Sequence, residues 1–125
     1  MIITETAKGP NLDDKVEPRF GRCSYFFIID TETMNFKAQE NSSIALGGGA
    51  GIQSGQVLSD NEVHALLTGN CGPNAFRTLE AAGIKVVTGV DGTVRHAVEK
   101  YKSGNISEVF GPNVASHFGT GSNIY

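Results

Sequence analysis

The chain has 125 residues, 39% of them hydrophobic, enough for one packed core and too few for two. Ten Lys and Arg against 13 Asp and Glu give a net charge of −3, which lacks the electrostatic footprint of a general nucleic-acid binder. No apolar run approaches the roughly 18 residues of a membrane span. Met1-Ile2-Ile3-Thr4-Glu5-Thr6 has no basic region followed by an apolar stretch, so no export signal is read and a cytoplasmic protein is expected.

Met1 to Thr6 opens with three apolar residues and reads as a short buried strand. Ala7 to Arg19 is polar and broken by Gly9-Pro10-Asn11 and Pro18, so it reads as a long loop, the expected mobile lid of the domain. Tyr25-Phe26-Phe27-Ile28-Ile29 carries the strongest strand signal, and after a turn Phe36-Lys37-Ala38-Gln39-Glu40 alternates as an exposed edge strand does. The glycine run Gly47-Gly48-Gly49-Ala50-Gly51 precedes a short helix, in which Gly55 suggests close packing on a neighbour. Val63 to Leu67 reads as a buried strand. Pro73 then stands where a helix starts, with Phe76, Leu79 and Ala82 as its apolar face and Gly83 as its end. Ile84 to Val87 is the last strand. Val94, Ala97, Val98 and Tyr101 follow the i, i+3, i+4, i+7 pattern of an amphipathic helix closed by Gly104. The expected strands are 1–6, 25–30, 36–40, 63–68 and 84–88, and the expected helices are 51–60, 73–82 and 92–103. Residues 1–104 form the expected single domain, and 105–125 a tail rich in Gly, Ser and Asn.

The order β-β-β-α-β-α-β-α, with right-handed crossovers, folds most economically as an α/β domain. Its mixed five-stranded sheet has the order 3-2-1-4-5, with strand 2 antiparallel and three helices on the faces. This is a ribonuclease H-like architecture. The topology brings Arg19 to Cys23, Gly47 to Gly51, Asn70-Cys71-Gly72-Pro73 and Gly89 to Gly92 to one edge of the sheet, outside the carboxyl ends of the parallel strands. Two helices, after Gly51 and Gly72, aim their N–H groups there, which favours an anion, and Arg19 and Arg22 add positive charge.

Cys23 and Cys71 are the only cysteines. Two strands apart, their backbones should lie about 10 Å from each other. That is too far for a disulfide and suitable for two thiolates on opposite sides of one metal–sulfide cluster. Two thiolates hold a cluster only transiently. Free cysteine also serves as a small buried hydrophobe, so a packing role stands beside the ligand role. The candidate cofactor-binding residues are Arg19, Arg22, Cys23, Gly48, Gly49, Asn70, Cys71 and Gly72, with Cys23 and Cys71 as the candidate metal ligands. His64 and His96 read as structural or merely exposed, and His117 falls in the tail. A two-metal nuclease would need a carboxylate cluster, and strand 1 offers only Glu5. No His is placed beside either cysteine, so an enzyme is not expected.

Phe20-Gly21-Arg22-Cys23-Ser24-Tyr25-Phe26, Gly48-Gly49-Ala50-Gly51-Ile52 and Gly69-Asn70-Cys71-Gly72-Pro73-Asn74-Ala75-Phe76 resemble the dinitrogenase iron–molybdenum cofactor biosynthesis family. Gly83-Ile84-Lys85-Val86 and Gly92-Thr93-Val94 fit it too, and the resemblance runs from Met1 to Gly104. It implies a ribonuclease H-like fold without nuclease activity and a small carrier of an iron–sulfur or iron–molybdenum–sulfur cluster, or its precursor. Cluster donor and acceptor proteins would be its partners. The alternative function is a metal-free regulatory or interaction module that takes a small anion or a protein at the same edge.

Overall fold

Tyr25–Asp30 and Ile2–Ala7 are strands buried on both faces, which is why they read as near-continuous runs rather than as an alternation. They are β2 and β1 of the fold. The computed structural model describes residues 1–41 and 50–104. Gly48, Gly49 and the tail 105–125 with His117 lie outside the described residues. The remaining elements are β3 (Phe36–Glu40), α1 (Ala50–Asp60), β4 (Ala65–Leu67), α2 (Pro73–Ala81), β5 (Lys85–Val87) and α3 (Val94–Lys102).

The sheet has the order β3-β2-β1-β4-β5. β2 is antiparallel to both β1 and β3, while β1, β4 and β5 are parallel. Each helix crosses back over the sheet, so the ribonuclease H-like topology expected from the element order is the one observed. No helix among the described residues is long and apolar enough to cross a membrane.

Two apolar clusters sandwich the sheet. On one face Phe26, Ile28, Leu66 and Val86 pack with Leu58 of α1 and with Phe76 and Leu79 of α2. On the other Ile3, Phe27, Ile29, Leu67 and Val87 pack with Val94, Ala97 and Val98 of α3 and with Val16. Gly55 is where α1 and α2 approach: a Cβ there would stand 2.8 Å from Cγ2 of Thr78, so only glycine allows the contact. Ala82 is exposed rather than part of the apolar face of α2, because the helix ends at Ala81 and Gly83 turns the chain away with φ of 78°.

The element bounds fall within two residues of the expected spans, and one further expectation, the mobile lid, is corrected. The last helix begins at Val94, two residues later than expected, because Gly92 is left-handed (φ 84°) and the Thr93 side chain accepts from the His96 N–H as an N-cap. The outer two strands of the parallel side are three residues each, shorter than 63–68 and 84–88. The segment 8–18 is not a loose lid. Lys8 N–H donates to Lys15, Glu17 N–H to Thr6, and Val16 N–H to Gly92, while Asp14 and Leu12 carbonyls accept from Val94 and Arg95. Asp13 adds an ion pair to Arg95 at 3.1 Å. The segment is a strap that joins β1 to α3 and seals the second cluster with Val16.

Candidate functional site

The strap delivers the chain to the carboxyl edge of the sheet. Asn70 N–H donates to Pro18 at 2.6 Å and the Asn70 carbonyl accepts from Phe20 N–H at 3.4 Å, so Arg19 is bridged to Asn70 as in a one-residue parallel strand. Gly69 permits this approach, since a Cβ there would lie 2.7 Å from Cα of Pro18. A 3-10 turn, Phe20–Arg22, follows and buries Phe20 against Phe26, ring centroids 6.1 Å apart. The turn leaves Arg22 exposed, with no ion pair to any described residue.

Arg19 is oriented differently. Its Nε lies 3.6 Å from Oε2 of Glu17, and the same oxygen accepts from the Arg19 N–H at 3.2 Å. Glu17 is held in place from behind: the Thr6 hydroxyl donates to its carbonyl at 2.6 Å and lies 2.9 Å from the Thr68 hydroxyl. Glu17 was not legible as a site residue in a polar loop, because only the strap's pairing with β1 aims it at the edge. Asn41 is the second such residue. It is buried at the end of β3, and its Nδ2 donates to the Cys23 carbonyl at 2.9 Å, tying the exit of β3 to the entry of β2.

Gly72 caps α2 without a side-chain hydrogen bond, and Pro73 at the first position has no N–H. The N–H groups of Asn74 and Ala75 donate to no described residue; the first bond of the helix is Phe76 N–H to Gly72. The Arg19 backbone is bridged to Asn70, two residues before the Gly72 cap of this open helix start, and Arg22 lies in the turn that follows Arg19.

The cysteines behave otherwise. Cys23 and Cys71 do share one region, the apolar cluster with Phe20 and Phe76, but Cys23 is 0% and Cys71 1% exposed. The expectation that both sulfurs open at the edge as lowered-pKa thiolates is corrected. Burial pushes the Cys23 thiol up to about 12, with the negative charge of Glu17 adding to the shift and the Asn41 side-chain hydrogen bond opposing it. Burial alone pushes Cys71 up to about 12. Both thiols sit in an apolar layer with Phe20 and Phe76, where burial disfavours the charged form. Among the described residues no group of three or more His, Cys, Asp and Glu could hold a metal ion.

The fold is a small ribonuclease H-like α/β domain, with Arg19, Asn70 and the uncapped start of α2 along the carboxyl ends of its parallel strands. Residues 1–104 match the sequence profile of the family described as dinitrogenase iron-molybdenum cofactor, and the chain belongs to that family. It is similar to the apo form of the orange protein from Desulfovibrio gigas, with 45% identity and a TM-score of 0.87 over 90% of this chain and 95% of that one. A putative NifB protein from Thermotoga shares 38% identity, TM-score 0.78, over 87% and 93%. An uncharacterized protein from Methanocaldococcus jannaschii is 25% identical over 99 residues, 77% of this chain and 84% of that protein.

Proposed function

We propose that the protein is a non-catalytic carrier that holds an anionic iron–sulfur or iron–molybdenum–sulfur cluster, or its precursor, at the α2 corner of the edge. In this reading the carrier passes its cargo between a donor and an acceptor protein. The observation that carries the reading is the open start of α2, two residues after Asn70, to which the Arg19 backbone is bridged. An uncapped first turn presents donors and the positive end of the helix dipole to an anion. Arg19 and Arg22 would offset the cluster's charge, and N–H groups at Gly72 and Asn74, with those of Gly48 and Gly49, would hydrogen-bond its sulfides. Asn70 would fix the arginine-bearing turn against α2. Membership of a family named for the iron–molybdenum cofactor supports the class of cargo. The burial of Cys23 and Cys71 supports a cargo held by charge and hydrogen bonds, with both thiols neutral in the wall behind it. Such a cargo stays exchangeable, as a carrier requires.

The test is anaerobic reconstitution with iron and sulfide, or with isolated iron–molybdenum cofactor, read by metal content and visible absorption. Cys23→Ser and Cys71→Ser, singly and together, should load like the wild type. Arg19→Ala with Arg22→Ala should lower affinity by roughly tenfold or more, as expected for two charge-assisted contacts. Loss of loading in a serine variant would make the thiolates ligands. A wild type that takes up no cluster would favour the metal-free module.

A further inference from the structure

We infer that Glu17 is an intramolecular competitor for the cargo: it holds Arg19 when the edge is empty and takes it back when the cluster leaves, which sets the release rate. The inference rests on the carrier reading above and names the regulation of that site. The geometry has three parts. The Arg19 backbone is bridged to Asn70, which roots the side chain at the seam beside α2. Its guanidinium is nevertheless paired back to Glu17, Nε to Oε2 3.6 Å. The Arg19 side chain is 60% exposed, while that of Glu17 is 13% exposed and its backbone is bonded to Thr6 in both directions. One partner is exposed and the other anchored, so in this inference the pair opens on the arginine side.

An anion at the edge must therefore displace a carboxylate that is always present at high local concentration. Arg22, which no described residue pairs, makes the first encounter, and Arg19 commits only when the incoming charge outweighs Glu17. On release the carboxylate recaptures Arg19 and prevents immediate rebinding. The exposed pair is of the weak, salt-sensitive kind, which suits a latch that must open.

The test uses the full chain, with isolated iron–molybdenum cofactor as the probe, and measures affinity and the rate of transfer to excess chelating thiol. Glu17→Gln keeps the size of the side chain and the strap's backbone bonds. It should tighten binding by roughly three- to tenfold, mainly through slower release, with the gain shrinking as salt rises. In an Arg19→Ala background Glu17→Gln should have no effect, because the latch acts through that arginine. Glu40→Gln, which removes a carboxylate at the end of β3 on the same edge, should change affinity by less than about twofold. The inference is overturned if Glu17→Gln binds and releases like the wild type. It is equally overturned if the tightening survives in the Arg19→Ala background or is reproduced by Glu40→Gln, since plain edge charge would then explain it. Failure of the wild type to bind any cluster sinks the carrier reading itself, a result distinct from any of these.

Discussion

α2 and α3 begin at the same edge of the sheet, one on each face, and their first turns meet different fates. At α3 the Thr93 hydroxyl accepts from His96, the strap carbonyls of Asp14 and Leu12 accept from Val94 and Arg95, and Gly92 is bonded to Val16. The helix dipole there is closed over by the protein's own backbone. At α2 the cap is a glycine, the first residue is a proline and the next two N–H groups meet no described acceptor. A helix start is a binding feature only where the chain leaves it unspent. The strap makes the difference, by covering one face and delivering Arg19 and Arg22 to the other.

The face under the strap also carries the strongest electrostatic conflict of the fold. Glu5 lies in the middle of β1, paired in register with Phe27 and Leu67, fully buried, with neither carboxylate oxygen hydrogen-bonded to a described residue. Desolvation raises its pKa well above the ordinary value of 4.5. Glu5→Met, of similar volume, should stabilise the protein by about 1–3 kcal/mol at neutral pH in urea unfolding. The sign with pH follows from linkage. Below the unfolded pKa both states are protonated, and the pH-dependent part of the penalty is absent. As pH rises past it the unfolded state ionises while the folded state keeps its proton, so stability falls until the folded pKa is reached. The Met variant should lack that decline while loading cargo like the wild type. A decline of equal size in both proteins would show that Glu5 is not its source.

The next effect lies on the open face. Gly72→Asp places a carboxylate cap and a negative charge at the start of α2. It should raise stability by about 0.3–1 kcal/mol and lower cluster affinity by roughly tenfold. Opposite signs from one substitution would separate the two roles of that helix start; unchanged loading would mean that the cargo does not use it.

The smallest effect belongs to the closed face. Thr93→Ala removes the α3 cap and should cost about 1 kcal/mol in unfolding experiments, with no change in loading. A loss of loading comparable to that of Gly72→Asp would abolish the distinction between the two faces.

The order of elements and the sheet topology were legible in the chain alone. Those follow from local periodicity and from the handedness of crossovers, which act on the chain wherever it is. The Thr93 cap was also within reach, since Gly92-Thr93 before an apolar stripe is a helix-start signal. The surroundings of each edge residue emerged only once the strands, strap and helices were packed together. The strap's pairing with β1 turned Glu17 toward Arg19 and filled the α3 start. Packing of the 3-10 turn on the sheet buries Cys23 and Cys71 in one apolar cluster with Phe20 and Phe76. A cysteine at a sheet edge has the same sequence signature whether its sulfur meets solvent or core. Side-chain direction there is set by packing between segments distant in the chain, and that packing buries both thiols.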